Sequence, residues 1–265
     1  MRDSRMSVLD QSRPPPAQTE GGLHVDLHLL PQLGVAVGEG AVPICSRAER
    51  VLAFLAIHSG RARRVTVAGT LWPDTTEERA LSSLRTAVWN LSRLNVPLVQ
   101  VTPTTLSLKA TVVVDAHEAA LRARQLIDGQ YDLGDVPGTL QLLRQEMLVD
   151  WAEDWILVAQ EQFRQLRLHA LEALGEQLLL LGRHAQAVVA GLDAIACEPL
   201  RETAHLLLMR VYLEQGNRSA AIHQYQSCAR LLRDDLGLRP SEVMTDLLAR
   251  SIGGLDLHDV GITVA

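Results

Sequence analysis

Two short segments in the C-terminal half of the chain resemble each other at a fixed separation. The first reads LGRHAQA over residues 181–187, and the second reads QGNRSAA over residues 215–221. A shift of 34 residues places Gly182 on Gly216 and Ala187 on Ala221. A 34-residue period is typical of stacked helix pairs, in which glycine permits the tight turn and a small alanine lets the second helix pack closely. The period therefore predicts an all-α helical repeat array.

The period of 34 residues is that of the tetratricopeptide repeat. We predict two clear units, at 165–198 and 199–235, preceded by a degenerate unit at 115–148. Because strand-like patterns disappear beyond Asp115, we assign residues 113–265 to this tetratricopeptide-like domain. Aromatic residues make up only 3% of the chain while Leu and Ala are abundant, so the whole protein is expected to be mainly α.

The preceding part of the chain, residues 21–112, mixes strand and helix patterns. Alternating segments at 23–30 and 33–44 predict a small antiparallel sheet, and two more around Pro103 and Thr104 predict a hairpin. Between them we predict helices at 47–59, 66–72 and 76–95, two of which begin with capping boxes, Ser46–Glu49 and Thr75–Glu78. This order is that of a winged helix-turn-helix, a small α+β domain whose third helix normally enters the major groove of DNA. Residues 1–20 are polar with a triple proline and are predicted to be disordered.

The third predicted helix carries a large aromatic residue on its polar face. Leu84, Val88 and Leu91 lie on the apolar stripe, whereas Trp89 lies on the opposite face. Trp89 therefore either packs against the hairpin or the following domain, or presses apolar surface into a DNA groove. The other candidate DNA contacts are Arg63 and Arg64 before the second helix and Ser82, Arg85, Thr86, Asn90 and Arg93 on the third.

Charge is divided unevenly along the chain. Residues 1–110 hold 12 basic and 9 acidic residues, whereas residues 111–265 hold 13 basic and 22 acidic ones. A mildly basic module therefore precedes an acidic one, although the chain as a whole has a net charge of −6. His24, Asp26 and His28 share one face of the first strand, but their alternation with Leu and Val favours a solvent-facing surface over a metal site.

Catalytic motifs are absent from the sequence. It has no Walker loop, no HExxH, no GxSxG and no GxGxxG, so we predict neither an enzyme nor a bound cofactor or metal. Three widely spaced cysteines and the lack of a membrane span or signal sequence favour a cytoplasmic protein.

Several C-terminal segments resemble a known domain. The run from VVVDAHE (112–118) through DWAEDW (150–155) to LLRDDLGLRPS (231–241) resembles the bacterial transcriptional activator domain. Together with a response-regulator-type winged helix, it is similar to SARP-type activators of secondary metabolism. The resemblance implies a regulator that binds tandem direct repeats of double-stranded DNA near a promoter and engages RNA polymerase. A homodimer on the tandem repeats is a separate expectation, and the sequence leaves the oligomeric state open. The third helix departs from the family pattern, since Asn90 and Ser92 stand where arginines are common.

Two functions follow from these observations. The first is a transcriptional regulator, an activator by resemblance, that reads DNA through helix 76–95. The second is a signalling adaptor whose helical repeats bind a peptide or a small nucleotide effector, with weak or no DNA binding. The salt dependence of duplex binding separates the two functions. Only a DNA binder has a duplex affinity that falls as the salt concentration rises, because it releases counterions from the phosphates on binding.

Overall fold

The computed structural model describes residues 25–58 and 60–251. The predicted disordered segment and His24 lie outside these residues. A four-stranded sheet comprises β1 (Val25–His28), β2 (Gly34–Val37), β3 (Gly40–Ala41) and β7 (Val112–Val114), in the order β3-β2-β1-β7. The predicted antiparallel pairing of β1 with β2 is present, while β7, which the sequence analysis did not predict, pairs with β1 in parallel. Val25 and Leu27 are buried and Asp26 and His28 face outward, as alternation predicts.

Three helices and a second sheet complete the N-terminal part. The helices are α1 (Ser46–Ile57), α2 (Arg64–Leu71) and α3 (Glu77–Ser92). The hairpin predicted around Pro103 comprises β5 (Val99–Val101) and β6 (Thr105–Leu108). A short strand before α2, β4 (Ala62–Arg63), pairs with β6 and was not predicted. This strand ties the start of α2 to the hairpin.

Both predicted capping boxes were wrong by one residue. Cys45, not Ser46, occupies the N-cap of α1, and it provides no side-chain cap. At α3 the cap is Thr76, whose hydroxyl accepts a hydrogen bond from the Arg79 backbone N–H at 3.4 Å. Thr75 instead donates to the Trp72 carbonyl within the preceding turn. Adjacent threonines made the register ambiguous in the sequence, and the turn after Pro73 decides it.

The C-terminal part is a stack of helices. They are α4 (Asp115–Ile127), α5 (Val136–Arg144), α6 (Asp154–Leu180), α7 (His184–Cys197), α8 (Glu202–Glu214), α9 (Arg218–Leu231) and α10 (Glu242–Ser251), with a π-helical turn at Leu232–Leu236. α6 pairs with α7 and α8 with α9, so the predicted mainly α fold with a small α+β N-terminal part is confirmed. No helix of the described residues has the length and apolarity needed to cross a membrane.

The turns between paired helices have the geometry that the 34-residue period requires. Gly182 and Gly216 adopt positive φ angles of 68° and 71°. In each turn the following residue, Arg183 or Asn217, donates its backbone N–H to a carbonyl five residues back. Such left-handed helix ends favour glycine because any Cβ is strained there.

The two parts share a buried core. Leu148, Ile156 and Phe163 from the C-terminal part lie in the same hydrophobic cluster as α1, α2 and α3. Trp155 packs on Phe54 of α1 with ring centroids 5.8 Å apart, and the Leu148 backbone N–H donates to the Leu29 carbonyl at 2.9 Å. The boundary predicted at residue 113 therefore falls inside a packed junction, and independent folding of the two parts stays a prediction.

Ala187 and Ala221 are both fully buried, as equivalent close-packing positions should be. We expect Ala187→Leu or Ala221→Leu to lower the free energy of unfolding by about 1–3 kcal/mol, because extra methyl groups must displace a close-packed helix. Urea denaturation measures this. Ala185→Leu on the exposed face of α7 is the control, and an equal effect of all three substitutions would contradict the packing role.

His205 of α8 is buried between two hydrogen bonds, in which its Nε2–H donates to the Pro199 carbonyl at 2.9 Å and its Nδ1 accepts from the Gln224 amide at 2.6 Å. Both bonds are satisfied by the neutral ring. Burial lowers the pKa of His205 below its ordinary value of 6.5, against smaller opposing effects of the Pro199 carbonyl and Glu202.

This lowered pKa predicts a pH-dependent stability. The unfolded chain takes up the His205 proton at higher pH than the folded chain does, so the stabilisation present above about pH 6.5 is lost as pH falls below it. We expect the stability difference between the parent and His205→Gln to shrink from pH 7.5 to pH 5. Denaturation midpoints at both pH values measure it, and a constant difference would refute the assignment.

Candidate nucleic-acid interface

Helix α3 separates its two faces as the sequence analysis expected. Ala80, Leu84, Ala87 and Leu91 are buried against the core. The opposite face presents the candidate DNA contacts to solvent, since Ser82, Arg85, Thr86, Trp89 and Arg93 are exposed and Asn90 is half-buried. The buried stripe fixes the orientation of the helix, so these polar side chains are held on a rigid element.

Trp89 does not pack into the interior. Its side chain is 55% exposed, and the Arg93 guanidinium lies over its ring at 4.7 Å from the centroid. A guanidinium at this distance is held by a cation–π interaction, which at an exposed site contributes about 0.5–1 kcal/mol. Of the two alternatives for Trp89, packing against the hairpin or the helical domain is therefore wrong, while insertion into a groove stays a prediction.

Other candidate residues on α3 are partly engaged within the protein. The Asn90 amide donates to the Cys45 sulfur at 3.3 Å, and the Thr86 hydroxyl donates to the Ser82 carbonyl at 3.1 Å. A thiol is a weak acceptor, so the Asn90 amide can exchange this partner for a base edge. Ser82 is exposed on the same face of the helix.

Arginines from β4, α2 and α3 border one cleft beside the hairpin tip. This cleft encloses about 750 Å³ and is lined by Arg63, Arg64, Val65, Leu81, Arg85, Pro103, Thr104 and Thr105. Arg64, predicted to lie in a turn, is the first residue of α2, and its backbone N–H donates to the Thr104 carbonyl at 2.9 Å. That bond holds the hairpin tip against the arginines. Guanidinium groups at one opening have the charge and donors that suit an anionic oxygen, and that of Arg64 also donates to the Thr102 carbonyl at 3.5 Å.

The hairpin tip contributes polar groups that the sequence analysis did not select. The Thr102 hydroxyl accepts from the Thr105 backbone N–H at 2.9 Å, and the two hydroxyls lie 2.7 Å apart. These bonds stiffen a tip that has no lysine or arginine of its own. No local sequence signal identified the cleft, because it depends on the pairing of the two-residue strand β4 with β6, which brings Arg63 to the tip.

Among residues 25–58 and 60–251, no group of three or more His, Cys, Asp or Glu side chains is placed to hold a metal ion. His28 instead lies 3.3 Å from the Asp115 carboxylate, which also accepts the backbone N–H groups of Leu29 and Leu30. Asp115 therefore serves to join β1 to the start of α4.

Comparison with known proteins identifies the family that the C-terminal part of the chain matches. The sequence profile of the bacterial transcriptional activator domain matches residues 107–250, more than half of the chain. The chain belongs to this family. The match begins in β6, so it includes β7 and every helix from α4 to α10.

Two curated regulators of Streptomyces coelicolor are similar in sequence. Regulatory protein AfsR is 27% identical over 210 residues, which are 76% of this chain and 21% of AfsR. Transcriptional regulator RedD is 34% identical over 82 residues, 31% of this chain and 23% of RedD. The matched regions span between a fifth and a quarter of these relatives. With the family match, these similarities confirm the predicted SARP-type resemblance.

A solved structure has the same overall fold. Mycobacterium tuberculosis EmbR, determined in complex with a low-affinity phosphopeptide, superposes with a TM-score of 0.68 at 19% identity, over 90% of this chain and 68% of that one. The winged helix followed by helical repeats is thus an arrangement that EmbR also adopts.

Proposed function

We propose that this chain is a transcriptional activator that binds double-stranded DNA through α3 and the arginine-lined cleft. The observation that carries the proposal is the arrangement of Arg63, Arg64 and Arg85 around one opening beside the exposed face of α3. The similarity to AfsR and RedD, whose names describe regulators, supports the same conclusion.

In this proposal the cleft holds the DNA backbone and α3 enters the major groove. Guanidinium groups bind phosphate oxygens through paired hydrogen bonds, which fix the register without reading sequence. The hairpin tip, anchored by the bond between Arg64 and Thr104, approaches the neighbouring backbone. In the proposal the DNA sequence is read by the exposed face of α3. Ser82, Thr86 and Asn90 contact base edges, and Trp89 and Arg93 contact the groove as a pair.

Protein contacts are assigned to the acidic helical part. The family resemblance implies tandem binding sites on the DNA, which two copies of the chain would occupy side by side. It also implies contact with RNA polymerase. Trp155 packs on Phe54 of α1, and Ile156 is buried in the same core. These contacts support a rigid connection, through which protein contacts at the repeats hold a fixed position relative to the DNA.

Substitution of Trp89 tests the role of α3. Because the ring is 55% exposed, we expect Trp89→Ala to leave the denaturation midpoint nearly unchanged while weakening binding to the preferred site by about 1–3 kcal/mol. The preferred site comes from selection of random duplexes, and electrophoretic mobility shifts measure affinity. Affinity equal to the parent's would remove Trp89 from the interface.

The adaptor alternative predicts a different result in the same assay. A chain whose winged helix no longer binds DNA would enrich no sequence from the random pool, and its weak retention of duplex would not depend on Arg85. If the parent enriches one DNA site from the random pool and Arg85→Gln does not, the adaptor is excluded as the main function.

A further inference from the structure

A second cleft opens at the C-terminal end of the repeats, far along the chain from the winged helix. It encloses about 1390 Å³ between α9, the π-helical turn and α10. The sequence around it includes LLRDDLGLRPS, the segment most specific to the family resemblance. Nothing in the proposed DNA contacts uses this segment.

Three arginines line this C-terminal cleft: Arg230, Arg233 and Arg239. Arg233 pairs with its neighbour Asp234 at 3.0 Å, but both side chains are about two-thirds exposed, so the pair contributes little. Within the described part of the chain, no carboxylate lies in ion-pair distance of Arg230 or Arg239, and Arg230 bonds only the Ser227 hydroxyl, at 3.3 Å. Two guanidiniums therefore remain available in a domain that is otherwise acidic.

The backbone at the cleft exposes an apolar side chain. The π-helical turn ends at Leu236 and is followed by Gly237, whose φ angle is 67°. The Leu238 backbone N–H donates to the Leu232 carbonyl at 3.1 Å. This path leaves Leu238 56% exposed at the cleft, beside Pro240. π-Helical turns are rare and occur often at functional sites.

The charged and apolar side chains that line the cleft determine the class of ligand that it can bind. Carboxylates pair with guanidiniums in a two-pronged geometry, and Leu238 offers contact to an aliphatic side chain. Glu242 and Asp246 line the cleft as well, so a ligand with uniform negative charge, such as duplex DNA, is repelled there. The volume exceeds the range of about 300–1,000 Å³ typical of small-molecule pockets and fits an extended chain segment.

We propose that this cleft binds an acidic peptide segment of a partner protein, with carboxylates on Arg230 and Arg239 and an aliphatic side chain on Leu238. The peptide carries its carboxylates along one edge, facing away from Glu242 and Asp246. The site is independent of the winged helix, so DNA binding does not require it.

Fluorescence anisotropy tests the proposal with the full chain and a labelled twelve-residue peptide of alternating Asp and Leu, which in an extended conformation carries its carboxylates along one edge. We expect Arg230→Gln/Arg239→Gln to weaken peptide binding by about a hundredfold or more, because each substitution removes a charge-assisted hydrogen bond that contributes roughly tenfold or more. Arg218→Gln, at the exposed start of the same helix, is the matched control and should bind like the parent. Leu238→Ser should also weaken binding, while all variants retain the parent's helicity and DNA affinity.

Four binding results would overturn the proposal: no peptide binding by the parent, equal binding of a peptide with Asn in place of Asp, equal binding by the double variant, or displacement of the peptide by duplex DNA in a chain carrying Arg63→Gln, Arg64→Gln and Arg85→Gln. Sedimentation velocity tests the other possible occupant of the cleft, a second copy of this chain. If the double variant changes the oligomeric state, the cleft is an interface between copies of this chain and the peptide proposal is wrong.

Discussion

Replacing the three arginines of the DNA cleft with glutamine should remove most duplex affinity, specific and non-specific alike. If Arg63, Arg64 and Arg85 each neutralise one phosphate, log affinity should depend on log salt with a slope shallower by about three. At 0.15 M salt this loss of counterion release corresponds to a fall of about two powers of ten. Fluorescence titrations of duplex at several salt concentrations measure both quantities.

A charge-matched control distinguishes local contact from overall charge. Arg124, Arg218 and Arg250 lie on α4, α9 and α10 and are exposed, so their replacement by glutamine removes the same three charges away from the winged helix. We expect this control to keep the parent's slope. If both triple variants lose slope equally, the affinity arises from the total charge of the chain and the cleft is not the phosphate site.

The helices and the hairpin could be predicted from the sequence because their signals are local. Apolar spacing at Leu84, Val88 and Leu91 predicted α3 and its buried face, and the repeated Gly182 and Gly216 predicted the turns of the array. Both signals arise within a few residues of the structure that they specify. The ends of the helices were less exact, since a cap depends on the turn before it.

Pairings between distant segments could not be predicted in the same way. β4 has two residues and β7 three, too short for a period of two to be visible, and both depend on partners more than 40 residues away in the chain. The arginine cleft depends on β4, so the sequence yielded its residues without their arrangement. Leu148 and Ile156 likewise fall in the range predicted for the helical domain, although they pack in the core of the winged helix.

The exposed side of α3 was ambiguous for a related reason. Periodicity places Trp89 opposite the apolar stripe but does not state whether a neighbouring element covers it. The structure leaves the ring open to solvent under Arg93. Exposure of a large aromatic on an otherwise polar face is the kind of observation that indicates a binding surface, and only the tertiary arrangement reveals it.

The junction between the two parts provides the largest expected effect on stability. Trp155 contacts Phe54 of α1 at 5.8 Å and Trp151 edge-on at 6.1 Å between ring centroids, so its ring joins α6 to the winged helix. Trp155→Ala leaves a cavity at this contact that neither part can fill alone. We expect the free energy of unfolding to fall by about 3 kcal/mol, the lower end of the range for a large aromatic, because the ring is only partly buried.

Urea denaturation followed by circular dichroism measures this loss, and Trp89→Ala is the matched control. The same side chain is removed, but from a site that is 55% exposed, so its midpoint should stay close to the parent's. If the junction couples the two parts, the parent unfolds in one transition, and Trp155→Ala separates it into two. An unchanged midpoint for Trp155→Ala, together with a stably folded fragment 113–255, would contradict this coupling. The winged helix and the repeats would then be independent units, as the change of composition near residue 113 suggests.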